Sequence, residues 1–245
     1  MLKCVNMEQK TSELVRINKY LAQKGIATRR DADKIISAGK VLINGKKAVL
    51  GDKVSENDDV EVLGKSSKKM VYYAYNKPRG VVTHSPQNGE KDIAKSIELK
   101  NVFPIGRLDK DSEGLLILTN DGRITDRLLN PDYDHEKEYI VKTRTPIKQS
   151  HLGIMERGMD LEGITTKPCI AKMVDEFSFK IILKEGKKHQ IRRMCDALSI
   201  PIESLKRVRV MNIKLGTLKP NEYRELVGKE LENFLDSLFK NIKEA

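Results

Sequence analysis

The 245-residue chain carries 46 Lys and Arg against 35 Asp and Glu, a formal net charge of +11, with 39% hydrophobic and 33% charged residues. This balance excludes disorder over the whole chain and accommodates one large domain or two smaller ones. The longest apolar runs, Val71–Tyr75 and Leu115–Leu118, fall far short of the ~20 residues of a membrane-spanning helix, and Met1–Ser12 lacks the apolar stretch of a secretory signal, so a cytoplasmic location is expected.

In chain order, the first predicted helix covers Val15–Lys24, with Ile17, Tyr20 and Leu21 on one stripe and Gly25 placed to end it. Thr28, three residues before Asp31, is an N-cap pattern for a second helix with Ile35 and Ile36 on its apolar face and Gly39 as its stop. Val41–Ile43 then runs into Asn44-Gly45, the dipeptide suited to a type I′ hairpin turn because both central residues need positive φ. Gly51–Leu63 alternates loosely, as a final strand pair would, and Gly64-Lys65-Ser66-Ser67-Lys68-Lys69 is small and polar like a linker. Residues 24–47 hold seven basic side chains, Lys24, Arg29, Arg30, Lys34, Lys40, Lys46 and Lys47, against Asp31 and Asp33, a local net charge of +5. By charge alone this is either a solvated surface or a phosphate-binding stripe.

From Met70 onward, strand-like stretches (Val71–Asn76, Leu115–Thr119, Glu138–Thr143, Phe177–Leu183, Arg207–Leu215) alternate irregularly with helical ones. Asp121 is placed to cap a helix toward Leu129, Thr145-Pro146 reads as N-cap and N1 of a helix to Met155, Lys188–Leu198 has helical spacing, and Gly228 precedes a C-terminal helix. This irregular mixture predicts an α+β fold with a mixed, mainly antiparallel sheet rather than a regular βαβ array.

Cys4, Cys169 and Cys195 are too few and too scattered for a disulfide framework or a C-x-x-C site. His84, His135, His151 and His189 show no metal-ligand spacing, and neither GxGxxG nor GxxxxGK[ST] occurs, so neither a metal nor a nucleotide cofactor is expected. The densest reactive grouping is Gly106-Arg107-Leu108-Asp109-Lys110-Asp111-Ser112-Glu113-Gly114, bounded by glycines and followed at once by a strand. Carboxylates beside Arg and Lys are held ionised, which suits a nucleophile or base. Charge pattern alone equally allows a salt-bridged turn.

The string VRINKYLAQKGIATRRDADKIISAGKVLINGKKA resembles the S4 RNA-binding domain, down to Gly25, Arg30, Gly39, Val41 and Asn44-Gly45, over roughly residues 14–62. Thr28 stands where a Ser is frequent and Ile17-Asn18 where Leu-Asp is. The resemblance implies a basic face gripping structured RNA, with Arg16, Lys19, Arg29, Arg30, Lys34, Lys46 and Lys47 as its contacts. KPRG at Lys77–Gly80, GRLDKDSEGLLILTNDG at Gly106–Gly122, HEKEY at His135–Tyr139 and ILKEGKKHQIRRM at Ile182–Met194 together resemble the RsuA-like branch of the pseudouridine synthases in content, order and spacing. Within that branch the wording is most similar to the RluF-type group acting on 23S ribosomal RNA.

This second resemblance implies a cofactor-free isomerase that flips a uridine out of RNA, breaks its C1′–N1 bond and rejoins C1′ to C5. It also implies residue roles. Asp109 matches the catalytic aspartate and Arg107 the arginine holding the flipped nucleotide, while Tyr139 matches the tyrosine stacked on the base. Arg192 matches the basic partner of the aspartate, Leu183 an apolar residue of the base pocket, and Lys77 and Pro78 an element of the substrate site. By residue type alone Tyr139 and Leu183 equally suit a buried core. Residues 180–209 carry a local net charge of +6, with Lys187, Lys188 and Arg193 as further RNA contacts. The implied organisation is an S4 domain over residues 14–63, a linker over 64–70 and a catalytic domain over 71–240. The implied partner is ribosomal RNA or a ribosomal precursor particle, with a monomeric protein and no membrane. Two rivals differ in kind: an S4-bearing RNA binder in which Asp109 is a turn residue, and an S4-fused methyltransferase, which would want a glycine-rich strand-to-helix turn that the sequence lacks.

Overall fold

The computed structural model describes residues 14–55, 57–64, 69–84, 86–87 and 89–239. Met1–Ser12 with Cys4, linker residues 65–68 and the segment after Phe239 lie outside the described residues. The rest divides into two compact units, one running to Lys69 and including Asp121–Arg123, the other made of Met70–Asn120 and the chain from Ile124 onward.

The first unit begins with β1 (Val15–Arg16), followed by α1 (Ile17–Gln23) and α2 (Arg29–Ser37). The expected helix over Val15–Lys24 is therefore shorter at its start: Val15 pairs with Val54, and the Ile17 amide donates to the Asp52 carbonyl at 2.7 Å, so the chain is extended there. Thr28 caps α2 as its sequence suggests, its hydroxyl accepting from the Asp31 amide at 3.1 Å. β2 (Val41–Ile43) turns through Asn44 and Gly45, at φ 50° and 77°, into β3 (Lys46–Lys47). β4 (Lys53–Val54) and β5 (Val60–Val62) follow, and they do not pair with each other. β4 joins β1 and β5 joins β2: Val54 is buried in a core with Ile17, Leu21, Ala32, Ile36, Val41 and Ala48, and Val60 and Val62 pack against that core.

The second unit runs β6 (Tyr72–Lys77), α3 (Ile93–Ser96), β7 (Phe103–Ile105), β8 (Glu113–Thr119), α4 (Arg123–Leu129), β9 (Lys137–Thr143), α5 (Gln149–Glu156), β10 (Asp160–Leu161), β11 (Ile164–Thr165), β12 (Ile170–Asp175), β13 (Ser178–Leu183), α6 (Gln190–Ala197), β14 (Ile202–Val210), β15 (Ile213–Lys214), β16 (Tyr223–Glu225) and α7 (Gly228–Phe239). Its sheet has the order β12-β13-β9-β14-β8-β6-β16, with β15 on β14 and β7 on β8. Every strand pair is antiparallel except β14–β8, so this is the mixed, mainly antiparallel sheet of an α+β fold.

β8 reads as an unbroken apolar run because both its faces are covered. Leu115 and Ile117 pack with Phe234 and Leu238 of α7, whereas Leu116 and Leu118 pack with Tyr75, Val81, Ile93 and Leu108. Two expected elements are corrected. The single strand Arg207–Leu215 is a hairpin, since Met211 takes φ 51° and reverses the chain between β14 and β15. The helix after Thr145-Pro146 starts only at Gln149: the Thr143 hydroxyl holds the Thr145 carbonyl at 2.8 Å and the Ile147 amide donates to Glu176 at 2.8 Å, keeping the chain extended through Ile147. Among the described residues no helix is long and apolar enough to cross a membrane.

Candidate active site

The loop between Gly106 and Gly114 is fixed through alternate backbone carbonyls. Leu108 accepts from the Thr83 hydroxyl at 2.7 Å, Lys110 from the Gly80 amide at 2.7 Å, and Ser112 from the Lys77 ammonium at 2.7 Å. Lys77 is fully buried and gives a second bond to the Pro78 carbonyl at 2.9 Å. Burial brings its amine down to about 8, against the opposing pull of Asp109, Asp111 and Glu113. Gly114 closes the loop with φ 106° where β8 meets β14, and a Cβ there would lie 2.3 Å from the Arg207 carbonyl oxygen, so only glycine fits.

This clamp leaves the Asp109 side chain free to face a cavity of about 300 Å³ whose other walls are a sheet face and the start of α6. On the sheet face, Tyr139 of β9 stands opposite Arg207 of β14, and Lys137, two residues earlier, stands opposite Leu183 of β13. Leu205 continues the same wall, and α6 contributes Gln190, Ile191 and Arg192. His189, in the left-handed region at φ 53°, turns its Nε2 to within 3.3 Å of Asp109 Oδ1. Leu108, Leu183, Ile191 and Leu205 supply apolar contact and charged and polar side chains make up most of the rest, a lining suited to a planar ligand with polar edges.

The structure thus gathers Asp109, Arg107, Tyr139, Leu183 and Arg192 around one cavity. Arg107 is exposed there and has no hydrogen bond or ion pair among the described residues. The expected Arg192–Asp109 pair is not formed: Arg192 Nη2 donates to Ser112 Oγ at 3.1 Å, and the Asp109 carboxylate is met by His189. Lys77 and Pro78, expected at the substrate, do not line the cavity; the Lys77 ammonium is spent beneath the loop on two carbonyls.

Of the expected RNA contacts, Arg16, Lys19, Arg29, Arg30, Lys34, Lys46, Lys47 and Lys188 are exposed. Lys187 is half-buried, its ammonium against Glu185 and the Thr165 carbonyl. Arg193 is engaged within the fold, donating to the Leu161 and Glu162 carbonyls at 2.9 and 3.0 Å and so tying α6 to the β10–β11 hairpin.

Residues 71–197 match the family model of the RNA pseudouridylate synthases, and residues 15–60 match that of the S4 domain. The chain is 40% identical over 238 residues to the dual-specificity RNA pseudouridine synthase RluF of Escherichia coli K12, covering 94% of this chain and 80% of that relative. The chain belongs to the RNA pseudouridylate synthase family. A second relative, the ribosomal large subunit pseudouridine synthase B of Bacillus subtilis, is 36% identical, with 89% of this chain and 94% of that protein covered. A crystal structure of a pseudouridylate synthase superposes with a TM-score of 0.67 at 27% identity, covering 91% of this chain and 99% of the other.

Several lining residues of this pseudouridylate synthase were given no site role from the sequence, among them Ser112, Lys137, His189 and Arg207. Ser112, Lys137 and His189 lie inside the motifs that carry the family resemblance. Arg207 lies outside them, one of several basic residues on the strand β14. The two described cysteines take no part, for burial pushes the Cys169 thiol up to about 11 and the Cys195 thiol up to about 12, far from a reactive thiolate.

Proposed function

We propose that this pseudouridine synthase isomerises a uridine of ribosomal RNA, in the large subunit, with Asp109 as its catalytic carboxylate. The observation that carries the reading is the convergence on one cavity of Asp109, Tyr139, Leu183, Arg192 and Arg107 from four separate segments of the chain. A flipped uracil stacks on Tyr139 against Leu183, Arg107 occupies the position left by the nucleotide, and Arg192 holds the loop through Ser112 so that Asp109 stays aimed at C1′. The C1′–N1 bond breaks with its electron pair leaving on N1, and Asp109 meets the electron deficiency on the sugar. The ring turns, C5 bonds to C1′, the C5 proton departs and N1 takes up a proton. No electron donor or acceptor enters, and the net change is an isomerisation.

The S4 unit, residues 14–63, anchors the RNA through its exposed basic side chains and is joined by residues 64–70 to a catalytic domain over 71–240. The protein works in the cytoplasm in ribosomal RNA processing, as a monomer, on RNA or a ribosomal precursor. Both named relatives support this reading, one through its title as a large-subunit enzyme. The test is to incubate unmodified ribosomal RNA with the protein and map pseudouridine by carbodiimide-dependent reverse-transcription stops. New stops in large-subunit RNA are expected; stops confined to small-subunit RNA or transfer RNA contradict the assignment.

A further inference from the structure

Two cations on the sheet face of the cavity have no counterion among the described residues. Arg207 is only 4% exposed and Lys137 only 8%, yet both line the cavity. Arg207 uses its Nε–H on the Leu115 carbonyl at 2.7 Å and makes no other hydrogen bond or ion pair among the described residues. Among the described residues the Lys137 ammonium has a single hydrogen-bond partner, the His135 carbonyl at 3.5 Å, the outer limit for a hydrogen bond. Burial and the charge of Arg207 both lower the Lys137 pKa, and no carboxylate offsets them. The two acidic residues that share the cavity are engaged elsewhere: Asp109 faces His189, and Glu185 accepts from the Lys167 amide, the Gln190 side chain and Lys187. Burying two unpaired positive charges side by side costs stability unless a ligand completes the site.

The ligand group is set by depth and position. Arg207 is the cross-strand partner of Tyr139, and Lys137 lies two residues before Tyr139 on the same face of β9. The polymer's phosphates run along the outside of a base-flipping site, and what enters it is the base. We infer that Lys137 and Arg207 form an anion subsite that receives the carbonyl edge of the flipped uracil and carries the negative charge left on the ring when C1′–N1 breaks. The bonding electron pair departs with N1, its charge spreads over O2 and O4, and the two cations hold the ring until C5 returns the pair to C1′. Donors fixed where charge develops act on the chemical step rather than on binding. The inference rests on the proposed function and adds the residues that stabilise the leaving base.

The experiment uses the full chain with Lys137→Met, which keeps side-chain length and removes the charge, and Lys137→Arg, which restores it. Single-turnover conversion at saturating ribosomal RNA is measured alongside RNA affinity and its salt dependence. Lys137→Met is expected to slow conversion at least 30-fold while affinity and salt slope stay within twofold, and Lys137→Arg to recover most of the rate. Weakened affinity with a shallower salt slope and an unchanged rate would make the site a phosphate contact and overturn the inference, as would no change in either quantity. Wild-type turnover in the same assay separates these failures from failure of the proposed function, whose collapse would remove both.

Discussion

Arg192 and Arg193 are adjacent in sequence and do different work. Arg192 faces the cavity and bonds Ser112 Oγ, while Arg193 fastens α6 to two carbonyls of the β10–β11 hairpin. Arg192→Met is therefore expected to reduce single-turnover conversion at least tenfold with little change in melting temperature. Arg193→Met removes charge-assisted bonds worth about 1–2 kcal/mol in total, which lowers Tm by about 3–6 °C at this chain length and leaves the rate within about threefold. The reverse ranking of rates would show the two roles exchanged. Lys77 sets a pH dependence. Its folded pKa of about 8 lies below the ordinary lysine value of 10.5, so between those values the unfolded chain binds more protons than the folded one, and stability contributed by this site rises with pH. Denaturant unfolding of wild type and Lys77→Met at pH 7 and pH 10 is expected to show the difference shifting toward wild type by about 2–3 kcal/mol at the higher pH. A difference independent of pH would place the Lys77 pKa near its ordinary value.

Gly114 shows how one element junction fixes the site. β8 and β14 meet there in the one parallel pair of the sheet, and a Cβ would strike both the nitrogen and the carbonyl of Arg207. Gly114→Ala has to displace β14 together with Arg207 and is expected to cost at least about 3 kcal/mol, as strained-backbone and overpacking substitutions do; an unchanged denaturation midpoint would mean the strands part freely. At this scale the sequence is legible where signals are local. Thr28 with Asp31 marks the start of α2, and Asn44-Gly45 marks the β2–β3 turn. It is illegible where partners are remote: β4 and β5 look like a hairpin but pair with β1 and β2, and Met211, which carries no turn signature, reverses the chain after β14. The site divides the same way. The Gly106–Gly114 loop announces itself by composition, whereas Lys137 and Arg207 acquire meaning only once β9 and β14 are paired.

Of the charges behind the net +11, the S4 unit exposes a run of basic side chains at α1, α2 and β3, while the cavity of the second unit buries two, Lys137 and Arg207. Exposed cations release counterions from RNA and set affinity, each contact adding nearly one unit to the salt slope. Replacing Arg29, Arg30, Lys46 and Lys47 together by Ala is expected to reduce the slope of log affinity against log salt by about 2–3 units and to leave the single-turnover rate at saturating RNA within about twofold. An unchanged slope would move the anchor away from the S4 unit.

Asp109, held by the clamped loop, is the group proposed to perform the isomerisation. The most direct test of that role is release of tritium from ribosomal RNA labelled at uridine C5, with wild type and Asp109→Asn side by side. Wild type is expected to release tritium and to form pseudouridine in equal amount, while Asp109→Asn releases none and binds the RNA with an affinity within about twofold of wild type. Release by Asp109→Asn at the wild-type rate would contradict the account.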